Sequence, residues 1–239
     1  MARVTVTETA AEAADAAAHR LADAIAAGRG EGKVVHLSLA GGTTPRAAYA
    51  RLASLVDDWE GVELWLGDER LVPQDDPESN YRMLSESLLD RTGAVAHPVP
   101  TEGSAEQAAA TYASQLRERV PEGPDGLPVL DFALLGLGED GHTASLFPEA
   151  PTLEVHDEVC VAVHDAPKPP ADRITLTLDV LRAARGAAIL ADGPEKAHPV
   201  AMVLEGPNPR VPASLLADGP IELIVDRTAA QELPAEARA

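Results

Sequence analysis

The sequence predicts an α/β protein with a doubly wound, mainly parallel sheet and helices on both faces. Short apolar runs alternate along the chain with stretches of helical periodicity, the pattern that gives parallel strands joined by crossover helices. One of these runs, Leu130, Phe132, Leu134 and Leu135, also stops abruptly at Gly136, Gly138 and Gly141. It thereby delivers Asp140 and His142 to the end of a strand, where open α/β sheets hold their ligands.

The first strand is expected around Val4 and Val6, followed by an amphipathic helix over 9–27 with Ala14, Ala18, Leu21 and Ile25 on one side. A strand at 34–39 leads through a glycine turn into a helix beginning at Pro45, a residue suited to a first helical turn. The run VELWL predicts a strand at 62–66 that enters a polar loop. Helical patterns follow near 80–90, 104–119 and 194–204, and strands at 130–135, 159–163, 173–178, 187–191 and 221–225. Loops rich in proline and glycine, at 120–128, 165–172 and 205–212, do not resemble interdomain linkers, so a single domain over 1–239 is expected.

Composition excludes several classes of function. With 19 basic and 39 acidic residues the net charge is −20, which repels a phosphodiester backbone, so no nucleic acid partner is expected. No stretch approaches the roughly 18 consecutive apolar residues of a membrane span. The N-terminus lacks the basic start of a secretory signal. Cys160 is the single cysteine, which leaves neither a disulfide framework nor a cysteine metal site, and a cytoplasmic location fits. The histidines show no H-E-x-x-H or close paired spacing, so a metal site has no support.

Four places could carry chemistry. His142, at a strand end, is a candidate base, since an unperturbed imidazole titrates near about 6.5; it could equally close a tight loop on backbone groups. In SLAGGTTP, Gly41 and Gly42 permit a sharp turn whose free amides, with the Thr43 and Thr44 hydroxyls and the helix dipole, would cradle a phosphate. An ordinary strand-to-helix connection with a threonine N-cap reads the same way. Asp68, Glu69 and Arg70 follow a strand directly, as a solvated turn or as the polar wall of a substrate site. Finally, Arg173 and Lys196 map to loops in a chain with only three lysines, and a fork beside a mobile point charge suits a phosphorylated ligand. Gly136, Gly138 and Gly141 also satisfy G-x-G-x-x-G, but Glu139 and Asp140 would set negative charge against a pyrophosphate and Pro148 disfavours a long helix, so the match is accidental. There is no P-loop and no G-x-S-x-G elbow.

Taken in order, AGGTTP (40–45), GDERLVP (67–73) with Ser79 and Asn80, LGLGEDGHTASLFP (135–148), PPADRITL (169–176) and DGPEKA (192–197) resemble the 6-phosphogluconolactonase family. The resemblance covers about residues 38–200, and GEDGHTASLFP is its most specific part. That family looks related to the glucosamine-6-phosphate deaminases, which implies a similar, Rossmann-like fold. Deaminases typically place isoleucine, alanine and a phenylalanine-asparagine pair after Asp-Gly-His and a tyrosine after Asp-Glu; this chain has Thr143, Ala144, Ser145 and Arg70 there. Two departures from the lactonase pattern, Ala40 and Thr43 where serine is common, remove no backbone amide.

The resemblance implies hydrolysis of 6-phospho-D-glucono-1,5-lactone, a small sugar phosphate lactone, without metal or organic cofactor. It makes His142 the base that activates water and assigns the 6-phosphate to Gly42, Thr43, Thr44, Arg173 and Lys196, with Gly41 in the same turn. Asp68 and Arg70 would line the sugar site, and Asp68 and Asp140 would join His142 in the catalytic group. A monomer or small homo-oligomer is expected. The alternatives are an amino sugar phosphate isomerase, which would release ammonia, and a sugar-phosphate-binding regulator, which would bind without turnover.

Overall fold

The computed structural model describes residues 3–238. In chain order its elements are β1 (Arg3–Thr7), α1 (Ala10–Gly30), β2 (Val35–Leu39), α2 (Thr43–Leu55), β3 (Val62–Leu66), β4 (Asp68–Arg70), α3 (Asn80–Ser87), β5 (Val95–His97), α4 (Ala105–Arg119), β6 (Phe132–Gly136), β7 (Cys160–Val163), β8 (Arg173–Leu176), α5 (Leu178–Ala183), β9 (Ala187–Ala191), α6 (Ala197–Leu204) and β10 (Ile221–Asp226). Seven strands form a parallel sheet in the order β1-β10-β9-β6-β2-β3-β5. From β2 the chain winds outward through β3 to β5, then returns to the other side of β2 with β6. The strand order therefore reverses between β2 and β6, and a crevice opens beyond their carboxyl ends.

Every residue of β2, β9 and β10 is buried, as a parallel sheet covered on both sides requires. α1 packs on α2 and lies against β2, β6, β9 and β10. α4 meets Trp65 of β3, with the Tyr112 and Trp65 ring centroids 5.8 Å apart. The Tyr112 hydroxyl accepts from the Leu66 amide at 2.7 Å and donates to the Leu66 carbonyl at 3.2 Å. Among the described residues no helix is long and apolar enough to cross a membrane.

The sheet assignment needs correction in one region. The polar loop expected after Leu66 holds β4, and the runs at 159–163 and 173–178 do not join the parallel sheet. They form β7 and β8, which pair with β4 in an antiparallel sheet of order β4-β8-β7. Gly67 is the pivot between the layers: its amide donates to Leu39 O at 3.0 Å and its carbonyl accepts from Leu176 N at 2.9 Å. Apolar content marks a strand as buried without saying in which sheet.

Smaller differences have local causes. The helix expected from Pro45 starts at Thr43, after Gly42 at φ +106°, and no side chain caps it. α6 begins at Ala197 because a 3₁₀ turn, Pro194–Lys196, precedes it. β5 and α5 were not signalled, being short; Val95 on the edge strand β5 is 53% exposed and so gives no apolar alternation.

Candidate active site

A cavity of about 600 Å³ fills the crevice where the strand order reverses. Its walls come from the turn after β2, the inner side of β4 and β8, the glycine loop after β6 and the turn before α6. It lies within the size range of small-molecule sites.

The glycine loop supplies a histidine and a carboxylate in contact. His142 Nδ1 stands 2.5 Å from Asp140 Oδ1, and the His142 amide donates to the same oxygen at 3.2 Å. A carboxylate facing Nδ1 places the ring proton there and leaves Nε2 as the basic atom. Nε2 has no hydrogen-bond partner among the described residues. Burial alone would raise Asp140, but the hydrogen bond and charge of His142 outweigh it and hold the carboxyl at about 2. Gly138 makes this pair possible, since a Cβ there would lie 2.0 Å from His142 Nδ1 and 2.5 Å from Asp140 Oδ1. The Phe147 ring supports His142 from the side, with centroids 4.8 Å apart.

β4 supplies the facing wall. Asp68 is buried; its Oδ2 accepts from Ser145 Oγ at 2.6 Å and its Oδ1 from Asn80 Nδ2 at 3.3 Å. Two donors thus fix the plane of the carboxylate. Arg70 donates to the Glu78 carbonyl at 2.6 Å, and in the antiparallel register it faces Arg173 of β8. Like charges directly opposite on neighbouring strands are destabilising until an anion lies between them.

Two of the cations that line the cavity are unpaired. Arg173 is buried, donates through Nε to Pro170 O at 3.0 Å and through Nη2 to Lys168 O at 2.8 Å, and sits 5.6 Å from the Phe147 centroid. Burial and the facing Arg70 pull it below the usual guanidinium range. Glu139 pairs with Lys168 at the rim, Glu78 with Arg70, and Asp140 with His142. Neither Arg173 nor Lys196 has a carboxylate within 4.0 Å among the described residues. In a chain of net charge −20, two unpaired cations in one cavity are a local excess of positive charge.

Of the residues nominated from sequence, Gly41, Gly42, Asp68, Arg70, Asp140, His142, Arg173 and Lys196 all line this cavity. Thr43 lines a neighbouring depression of about 300 Å³ that shares Gly42 and Arg70. Thr44 turns its hydroxyl to Asp192 Oδ1 at 2.5 Å, tying the start of α2 to the loop that carries Lys196. The α2 terminus is open in the sense the cradle requires, because Gly42 brings no capping side chain to its first amides. After Gly141 the chain forms turns rather than a helix, which removes the structural context of a dinucleotide fingerprint.

Sequence reasoning did not nominate Asn80, Ser145 or Phe147 as site residues. Each lies in a segment that carried the resemblance, but their roles depend on contacts across elements. Gly41 shows why: its absent Cβ would lie 1.8 Å from Asn80 Oδ1, a distance in space that no local pattern encodes.

Fold and site together define an α/β protein with a histidine-carboxylate pair and two unpaired cations in one cavity of small-molecule size. Comparison with known proteins narrows this. The family model described as glucosamine-6-phosphate isomerases/6-phosphogluconolactonase matches residues 8–225. This chain belongs to that family. Among curated proteins it is 42% identical over 204 residues to a 6-phosphogluconolactonase of Streptomyces coelicolor, spanning 79% of this chain and 77% of the relative. Among solved structures, 6-phosphogluconolactonase from Trypanosoma brucei superposes with a TM-score of 0.85 at 29% identity, covering 98% of this chain and 99% of that one. A monomeric glucosamine-6-phosphate deaminase superposes at 0.81 with 20% identity over 96% and 99% of the two chains, a likeness of fold.

Proposed function

We propose that this chain hydrolyses 6-phospho-D-glucono-1,5-lactone to 6-phosphogluconate, the second step of the oxidative pentose phosphate pathway, with His142 as general base. The observation that carries the proposal is the free Nε2 of an Asp140-held imidazole in one cavity with the unpaired cations Arg173 and Lys196. The 42% identity to a protein of that name supports the substrate.

In this mechanism Arg173, Lys196 and the open amides at the start of α2 hold the 6-phosphate, and Asp68 with Arg70 receives the ring hydroxyls. That sets the lactone carbonyl near His142. Nε2 takes a proton from water as its oxygen bonds to C1, and the carbonyl becomes an oxyanion. The bond from C1 to the ring oxygen then breaks, and the imidazolium returns its proton to that oxygen. The product acid ionises, so atoms and charge balance with one water consumed. An ester carbonyl is already electrophilic, and no covalent nucleophile is required; positioned base action typically contributes about a hundred to ten thousand fold.

The test is a coupled assay that generates the lactone in place and follows its loss above spontaneous hydrolysis. Loss at the background rate sinks the proposal. Ammonia release from glucosamine 6-phosphate would replace it with the isomerase reading.

A further inference from the structure

Glu69 lies outside the cavity yet is bonded to two of the elements that wall it. Side chains alternate along β4, so Asp68 and Arg70 line the cavity while Glu69 points to the other face, where it is 2% exposed. Its Oε1 accepts from the amides of Asn80 at 2.7 Å and Arg70 at 2.8 Å; its Oε2 accepts from the Tyr81 amide at 2.8 Å and Ser79 Oγ at 3.1 Å. Those bonds meet the acceptor capacity of a carboxylate. The Asn80 and Tyr81 amides open α3 and have no acceptor within the helix, and an anion there is favoured by the helix dipole. Burial pushes the Glu69 carboxyl up, and the backbone hydrogen bonds oppose that rise.

The helix so anchored begins with the residue that reaches back to the site. Asn80 Nδ2 donates to the Asp68 carbonyl at 2.9 Å and to Asp68 Oδ1 at 3.3 Å, and the same side chain fills the space beside Gly41. With Asn80 displaced, the Asp68 carboxylate would be held by Ser145 alone and could turn about that bond.

We propose that Glu69 is a positioning residue for the lactone reaction: by anchoring the first turn of α3 it sets, through Asn80, the carboxylate of Asp68 and the glycine turn after β2. The inference rests on the lactonase reading for its substrate. A misplaced orienting group lowers the reaction rate more than binding, because phosphate contacts hold the substrate in either case.

The experiment compares Glu69→Gln, Asn80→Ala and Asp68→Asn with the two double variants that include Asp68→Asn. Lactone kinetics are measured together with melting and the ¹³C shift of the Asp68 carboxyl at one pH. Glu69→Gln and Asn80→Ala should each lower kcat about tenfold and change KM less than about threefold, and both effects should shrink below about threefold when Asp68 is already Asn. A purely structural Glu69 would lower the melting temperature while leaving kcat of folded protein unchanged, or would give the same factor in both backgrounds; either result overturns the proposal. Should Glu69→Gln not fold, Glu69→Asp, which keeps the charge but shortens the reach, takes its place. If the wild type hydrolyses no lactone, the functional reading fails by itself. The Asp68 ¹³C shift then decides the positioning role: moved by the Glu69 variant it stands, unmoved it falls.

Discussion

Two histidine-carboxylate groups sit on the same parallel sheet, and only one of them opens on a cavity. Across β2, β3 and β5, Trp65 Nε1 donates to His36 Nδ1 at 3.3 Å, and His97 Nε2 stands 3.0 Å from Glu63 Oε2. The Trp65 and His97 rings stack at 4.1 Å, and Arg119 lies 3.7 Å from the other Glu63 oxygen. Burial holds both imidazoles below the ordinary histidine range, with Glu63 opposing. At the carboxyl ends, His142 has one nitrogen fixed by Asp140 and the other free, in a space of about 600 Å³. Contact between a histidine and an acid is therefore not what makes a site. A free basic atom beside room for a ligand is, and in a doubly wound sheet that room lies where the strand order reverses.

The most direct way to break the contrast is to remove each histidine. His142→Ala should lower kcat by about a hundred to ten thousand fold with a smaller change in KM, since a base acts mainly on the transition state. His36→Ala should lower the melting temperature and leave kcat per folded molecule within about twofold. Background-corrected turnover of His142→Ala above half that of wild type would place the chemistry elsewhere.

Next in size is the anion site. Arg173→Ala and Lys196→Ala should each raise KM about ten to more than a hundred fold, the worth of a lost charge-assisted contact of roughly 1.5–3 kcal/mol. Unphosphorylated gluconolactone should be a poor substrate. Arg238, exposed in the C-terminal turn, is the control: with a net charge of −20 no general attraction holds a dianion, so Arg238→Ala should leave KM nearly unchanged. Equal KM changes for Lys196→Ala and Arg238→Ala would mean that Lys196 does not hold the phosphate.

A smaller effect isolates geometry from chemistry. Gly138→Ala keeps every polar group, but its Cβ displaces the His142 ring and Asp140 together, so kcat should fall about tenfold with the fold retained. Circular dichroism and melting check the fold. A fully active Gly138→Ala enzyme would show that the contact between His142 and Asp140 is not needed.

These variants could be named because the parallel sheet and most of its rim were legible. Strand 62–66 and the helices near 9–27 and 104–119 follow from periodicity, and Gly41, Asp68, His142 and Lys196 follow from their places at strand ends. What stayed hidden was the antiparallel sheet, because the partner of β4 lies about a hundred residues away and the hinge is a single glycine. The supports Asn80, Ser145 and Glu69 were hidden for the same reason: each acts across elements, through bonds such as that from Ser145 Oγ to Asp68 Oδ2. Strand direction is written locally in the sequence, whereas cross-sheet support is not.

The smallest expected effect concerns pH and separates the buried cluster from the rim by sign. His36 and His97 are lowered in the fold, so below the ordinary value of about 6.5 the unfolded chain binds the extra protons. Their contribution is present above that pH and is lost as pH falls through the lowered values. His164 behaves oppositely. At the base of the 164–172 loop that walls the cavity, its Nδ1 faces Asp172 Oδ1 at 2.7 Å and its Nε2 faces Glu106 Oε1 at 2.8 Å, so both bonds exist only for the imidazolium. The hydrogen bonds to Asp172 and then Glu106 raise it, and that contribution is present below about 6.5 and lost as pH rises through the raised value. Acid should therefore lower the global melting temperature, while alkali should loosen this loop. The Ala166 amide, bonded to Ala171 O at 3.0 Å, reports the loop. Its exchange protection, corrected for the intrinsic rate at each pH, should drop on the alkaline side in the wild type and be flat and low in His164→Gln. A wild-type protection factor that does not change with pH would show that the His164 bonds do not hold the loop.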